Sequence, residues 1–122
     1  MYGTEPDVVD RDALQALHDF GQQSGLPIFQ TEMQGGGLDT AITIHDAMST
    51  IGASVYLQND FVWSAALLSE NPAALIALSE TGFTLQDPYH ALRHFARDTA
   101  PGWVRVGATA DHESVLATAW SS

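Results

Sequence analysis

The residues Leu26-Pro27-Ile28-Phe29-Gln30-Thr31-Glu32-Met33, followed by Gly35-Gly36-Gly37, bring a carboxylate to a place where it can act. A short apolar run leads up to Glu32, and a glycine run then breaks the backbone. Bounded by Gly and Pro, the run reads as a buried strand of a parallel sheet. Such a strand delivers its last side chains to the carboxyl edge of the sheet, where α/β folds place their chemistry. The plainer alternative is that Glu32 is the first solvated residue after a strand. The other reactive residue types give less. There is no cysteine, which removes disulfides, thiolate metal sites and a cysteine nucleophile. His45-Asp46 has no third ligand at a metal spacing, so His45 is read as structural. His18 lies beside an apolar stripe and is read as a packed or surface imidazole. No metal and no cofactor are expected.

Positioning Glu32 requires the elements around it. Asp10 is a good N-cap, and Ala13, Leu14, Leu17 and Phe20 recur at helical spacing until Gly21 to Gly25 ends the pattern. The strand over 26–33 follows. Asp39 then reads as the cap of a second helix to about Ile51, with Ala41, Ile42, His45 and Met48 inward, Ile44 as a further candidate, and Gly52 as its stop. A second strand is expected over 53–59. Helix, strand, helix and strand joined by short links predict a parallel sheet with right-handed crossovers. Beyond it, Ala65 to Leu68 and Ala73 to Leu78 read as a hairpin with Asn71-Pro72 in the turn. Thr81-Gly82 is a further turn. Asp87-Pro88 starts a third helix with Tyr89, Leu92, Phe95 and Ala96 on one side. Two β segments, 103–106 and 114–120, close the chain around a turn at Asp111-His112-Glu113.

The whole chain has 122 residues, enough for one small domain. Its hydrophobic content of 45% is not that of a disordered chain. No apolar run is long enough to span a bilayer. The opening Met1-Tyr2-Gly3-Thr4-Glu5-Pro6-Asp7 has neither the basic start nor the apolar core of a secretion signal, though a piece of a secreted protein would look the same. Localisation is therefore left open. The net charge is −11, and all four basic residues are Arg. Such a surface repels nucleic acid and anionic membrane, which need Lys and Arg to displace counterions. Neither is expected as a partner; neutral molecules or proteins are.

Taken together and in order, these segments resemble the carboxyl-terminal part of a glycoside hydrolase of family 30, built on an eight-stranded (β/α) barrel. Tyr2-Gly3 resembles the end of the family's sixth strand. Gly25 through Glu32 resembles the seventh, whose Thr-Glu pair carries the nucleophile. Ile44-His45-Asp46-Ala47-Met48 resembles the helix after it, and Ala53-Ser54-Val55-Tyr56 the eighth strand. Asp87 through Ala96 is similar to the last helix, and Pro101-Gly102-Trp103-Val104-Arg105-Val106 to the entry into the family's β side domain.

The resemblance implies an α/β fold: a partial (β/α) barrel of the last two to three units over residues 1–100, then a short antiparallel β segment of an incomplete side domain over 101–122. It makes His45 and Arg105 structural and Glu32 the nucleophile of a retaining mechanism. Retention needs a second carboxyl about 5 Å away, acting as acid and then base. In the family that residue sits in an Asn-Glu pair on the fourth strand. Asp7, Asp10, Asp12 and Asp60 are the carboxylates nearest to barrel positions here, and none sits in that motif. Family aromatics that stack on sugar are matched late in the eighth strand by Gln58-Asn59-Asp60. Tyr2, Phe61 and Trp63 stand as the candidate substrate-binding replacements, against the alternative of core packing. The expected activity is hydrolysis of a β-linked glycan (xylan, β-glucan or a glucosyl conjugate) by a chain with half the machinery. The alternative is a non-catalytic fragment with at most weak carbohydrate binding. Either way the incomplete sheet leaves Ile28, Phe29, Val55 and Leu57 short of neighbours, which predicts a homo-oligomer, most simply a dimer.

Overall fold

A computed structural model describes residues 10–122, apart from Gln34 and Glu113. Tyr2-Gly3, expected to end a barrel strand, lies outside the described residues. The first helix, α1 (Arg11–Ser24), starts as expected. Asp10 Oδ1 accepts hydrogen bonds from the backbone N–H groups of Asp12 and Ala13, each at 3.1 Å. Gly25 ends the helix in the left-handed region at φ 66°, where a side chain would be strained. The stripe expected to face inward is only partly covered, since Leu17 is 40% and Phe20 61% exposed. His18 is half-buried, with Nδ1 3.1 Å from the Ile51 carbonyl oxygen.

Strand β1 (Phe29–Met33) is followed by α2 (Gly37–Asp46), which runs on into a π-helical turn, Ala47–Ile51. Gly52 stops that turn at φ 75°. Strand β2 (Val55–Gln58) then pairs with β1 in parallel, as the order of elements predicts. Two details differ from expectation. The residue at the start of α2 is Gly36, and Asp39 lies one turn further in, because the glycine run lets the chain enter the helix early. Ile44, a candidate for the inward stripe, is buried, but so is Thr40, which that stripe does not include; its Oγ1 donates to the Gly35 carbonyl at 2.6 Å. A buried hydroxyl satisfied in this way costs little.

The expected hairpin of 65–68 with 73–78 does not form. Ala65–Glu70 is a 3₁₀ turn, and the strand beside it is β3 (Val62–Ser64). Strand β3 pairs in parallel with β4 (Ile76–Ser79), and β4 turns back through Glu80-Thr81 into β5 (Gly82–Leu85). The physical reason lies in composition. Ala and Leu favour helical backbone, while Val62-Trp63 has the β-branched and aromatic side chains of a strand. Helix α3 (Asp87–Ala96) packs along α2. Its cap position is Gln86, with Asp87 inside the first turn. The last pair, β6 (Val104–Val106) and β7 (Ala119–Ser121), is antiparallel. Strand β7 is shorter and later than the expected 114–120. Val115 and Leu116 lie before it, both more than half exposed.

The molecule is thus mixed α/β, with sheets of two, three and two strands and no closed barrel among the described residues. Its buried apolar side chains are Ile44, Ala47, Ile51, Ala53, Ala73, Ala74, Leu75 and Ala77. Five of these eight are alanine, and alanine buries little area. The large side chains Phe29, Leu57, Phe61, Leu78 and Phe83 meanwhile stay more than half exposed. No helix of the described residues is long and apolar enough to cross a membrane.

Candidate functional site

The geometry at Glu32 follows from the register of two short strands. Phe29 pairs with Val55, Gln30 with Tyr56, and then Met33 with Gln58. Thr31 and Glu32 therefore both oppose Leu57, which is the count of a β-bulge. Regular alternation would put Glu32 on the side of Gln30. That side faces the helices: Tyr56, opposite Gln30, lines a cleft with Ile44 of α2 and Met48 of the π-helical turn. The other side is uncovered, with Phe29 57% and Leu57 52% exposed. Both Thr31 and Glu32 are exposed, and the extra residue interrupts the alternation that would have set Glu32 on the side of Gln30. Among the described residues the Glu32 carboxylate meets no hydrogen-bond partner, while its backbone oxygen accepts from Gln30 Nε2 at 3.4 Å.

Parallel pairing brings the carboxyl ends of both strands to one edge, so the segment after Gln58 emerges beside Glu32. That segment is held firmly. The Tyr56 hydroxyl donates to Gln58 Oε1 at 2.8 Å, and Gln58 Nε2 donates to the Ala73 carbonyl at 3.1 Å. Burial pushes the Tyr56 hydroxyl pKa up to about 12. Asp60 Oδ2 accepts from Asn71 Nδ2 at 2.6 Å, and the Asp60 carbonyl accepts from Leu75 N at 3.0 Å. Asp60 is thereby an anchor for the loop over 71–75. Asp10 is occupied as the cap of α1, and Asp12 is exposed in the first turn of that helix. Asp7 lies outside the described residues.

Three of the four sequence-predicted site residues, Glu32, Phe61 and Trp63, lie within the described residues. Phe61 lies between β2 and β3, its carbonyl accepting from Ile76 N at 3.0 Å, and it is 65% exposed, which corrects the alternative of core packing. Trp63 is half-buried on β3, with Nε1 donating to the Leu67 carbonyl at 3.2 Å. It lines an open groove of about 850 Å³ with Val62, Leu67 and Leu78, and Glu32 is not part of that groove. Tyr2 lies outside the described residues. His45 Nδ1 lies 2.7 Å from Thr118 Oγ1, tying α2 to the segment before β7. Arg105 is exposed and pairs across the ladder with Trp120. Among the described residues no group of three His, Asp or Glu is placed to hold a metal ion.

Chemically, one exposed carboxylate at a sheet edge can attack an electrophilic carbon. Among the described residues no second carboxyl is placed opposite it to serve as acid for the leaving group. Sequence reasoning missed the bulge, because Thr31-Glu32 carries no local signature of one. It also missed the Asn71–Asp60 anchor and the aromatic cleft behind β2, whose walls come from elements far apart in the chain. Comparison with family models, with curated proteins and with solved structures finds no match to this chain.

Proposed function

We propose that the chain is part of a retaining glycoside hydrolase resembling family 30, with Glu32 as the nucleophile. In that reading β1 and β2 are neighbouring strands of a (β/α) barrel, α2 lies on the outer face, and the uncovered side of Phe29 and Leu57 is the barrel interior. The observation that supports it is an exposed Glu32 at the carboxyl end of β1, set opposite Leu57 by the shift in register. The substrate class is a β-linked glycan. Glu32 would form the covalent glycosyl intermediate, and the acid–base carboxyl would come from another polypeptide segment. Phe61, exposed in the segment that follows β2, is the described aromatic we assign to stacking on a sugar ring.

The second reading is a non-catalytic piece that self-associates. Its support is the uncovered apolar face of a two-stranded sheet, since two strands rarely stand alone and an open edge invites strand addition. The most economical assembly is a two-fold dimer. A single experiment separates the two readings. The purified chain is incubated with an activated 2-fluoro-glycoside, and its mass is read intact and after digestion. A glycosyl adduct on the peptide holding Glu32, absent in Glu32→Gln, supports the nucleophile. An adduct elsewhere, or equal labelling of Glu32→Gln, removes Glu32 from the chemistry. No labelling at all favours the second reading.

A further inference from the structure

Behind β2 lies a cleft of about 400 Å³ between α2, α3 and the carboxyl-terminal segment. Its walls include Tyr56, Phe95, Trp103 and Trp120, and the aliphatic floor comes from Ile44 and Leu92. We propose that this cleft is a binding site for a small, neutral, flat aromatic molecule that carries an N–H or O–H donor.

Four features fix that class. The volume falls in the range of small-molecule sites, which are mostly apolar with a few placed polar groups. The Phe95 and Trp120 rings meet edge to face, 6.4 Å between centroids and 83° between planes. Such a corner offers one ring face for stacking and one ring edge for a perpendicular contact. None of the residues lining the cleft carries a charge, although the chain as a whole stands at −11. A charged ligand would lose its hydration there and find no counter-charge. Finally, two of the three wall hydroxyls, those of Tyr56 and Thr99 but not of Ser54, have already spent their hydrogens. Tyr56 donates to Gln58 Oε1 at 2.8 Å, and Thr99 Oγ1 donates to the Phe95 carbonyl at 3.0 Å. Both oxygens are left as acceptors, so a ligand N–H or O–H set against them finds a partner. The raised pKa of Tyr56 is a separate sign of the same low polarity. The site is independent of the glycosidase reading, since neither Glu32, Phe61 nor Trp63 touches it.

The three tryptophans make the test internal. Trp103 and Trp120 line the cleft, while Trp63 sits on β3 with its Nε1 engaged by the Leu67 carbonyl. Uniformly ¹⁵N-labelled protein is titrated with indole, with N-methylindole and with indole-3-carboxylate, following the tryptophan side-chain N–H signals. Indole is expected to shift the Trp103 and Trp120 signals saturably and leave that of Trp63 in place. N-methylindole, which lacks the donor, and indole-3-carboxylate, which adds a charge, are each expected to bind at least tenfold more weakly. Thr99→Val keeps the side-chain shape and is expected to weaken indole towards the N-methylindole value. The proposal is overturned if indole shifts no signal saturably up to its solubility, or if Trp63 moves together with the other two. Equal binding of the carboxylate overturns it as well.

Discussion

Tyr56 links the sheet to the cleft behind it, and its replacement by Phe gives a prediction whose size follows from the geometry. Tyr56→Phe keeps the ring and removes one hydrogen bond, the 2.8 Å contact to Gln58 Oε1. At neutral pH that should cost about 1 kcal/mol of stability. The pH dependence is more specific. Burial raises the folded pKa of Tyr56 from 10.0 to about 12, so folding prefers the neutral hydroxyl. A group raised in this way contributes stability that is fully present below pH 10 and is lost as pH climbs through 12. A two-unit shift in a fully buried group corresponds to about 2.7 kcal/mol. Tyr56 is only half-buried, and solvent screening reduces the expected loss to about 1 kcal/mol. The two estimates together predict that wild type starts ahead of Tyr56→Phe at pH 7 and meets it near pH 12. Urea unfolding of both proteins across that range gives the difference directly. A gap that stays constant or widens with pH would refute the burial of this hydroxyl as the cause.

The remaining predictions are simpler. Asp10→Ala removes a true cap and should cost about 0.5–2 kcal/mol. Asp39→Ala and Asp87→Ala lose only an interaction with the helix dipole, about 0.3–1 kcal/mol, and equal losses at all three positions would show the caps to be misassigned. Ser at both Phe29 and Leu57 should weaken self-association in analytical ultracentrifugation. Association of the wild type should become firmer with salt, as screening relieves repulsion between chains of the same charge. An unchanged mass distribution in the double variant would remove the uncovered face as the interface. Thr118→Val breaks the contact to His45 Nδ1, at a cost of about 1 kcal/mol. Amide exchange should then speed up in β7 and not in β4; equal acceleration in both would argue for a global effect.

Much of the first half of the fold is legible in the sequence. Asp10, Gly25 and Gly52 announce helix ends through local chemistry, a short acceptor and two residues free to take positive φ. The parallel pairing of β1 with β2 follows from a helix placed between two apolar runs. The second half is less legible. Ala65-Ala66-Leu67-Leu68 is apolar without a period, and an apolar run this short fits strand and helix alike. Its neighbours decide, and the parallel partner of β3 is reached only after the 3₁₀ turn and the Asn71–Asp60 anchor. At the site, Glu32 is visible from its place at the end of a strand. The side it faces is not, because that depends on one extra residue in the register, and register is a property of two strands together.

The connection between β6 and β7 also bears on the order in which the chain folds. Strands β4 and β5 are joined by two residues, Glu80 and Thr81, whereas twelve residues, 107–118, separate β6 from β7. The entropy of closing a loop grows with the logarithm of its length, and the difference here is about 1.6 kcal/mol against the longer one. Three residue pairs in the ladder, His45 against Thr118 and Phe95 against Trp120 must recover that cost. The β4–β5 hairpin is thus a natural early nucleus. On that count the carboxyl-terminal strap is expected to dock late and leave first, and the departure of β7 would take Trp120 away from the cleft. A ligand seated there would hold the strap closed, which makes proteolysis within 107–118 a direct report of occupancy.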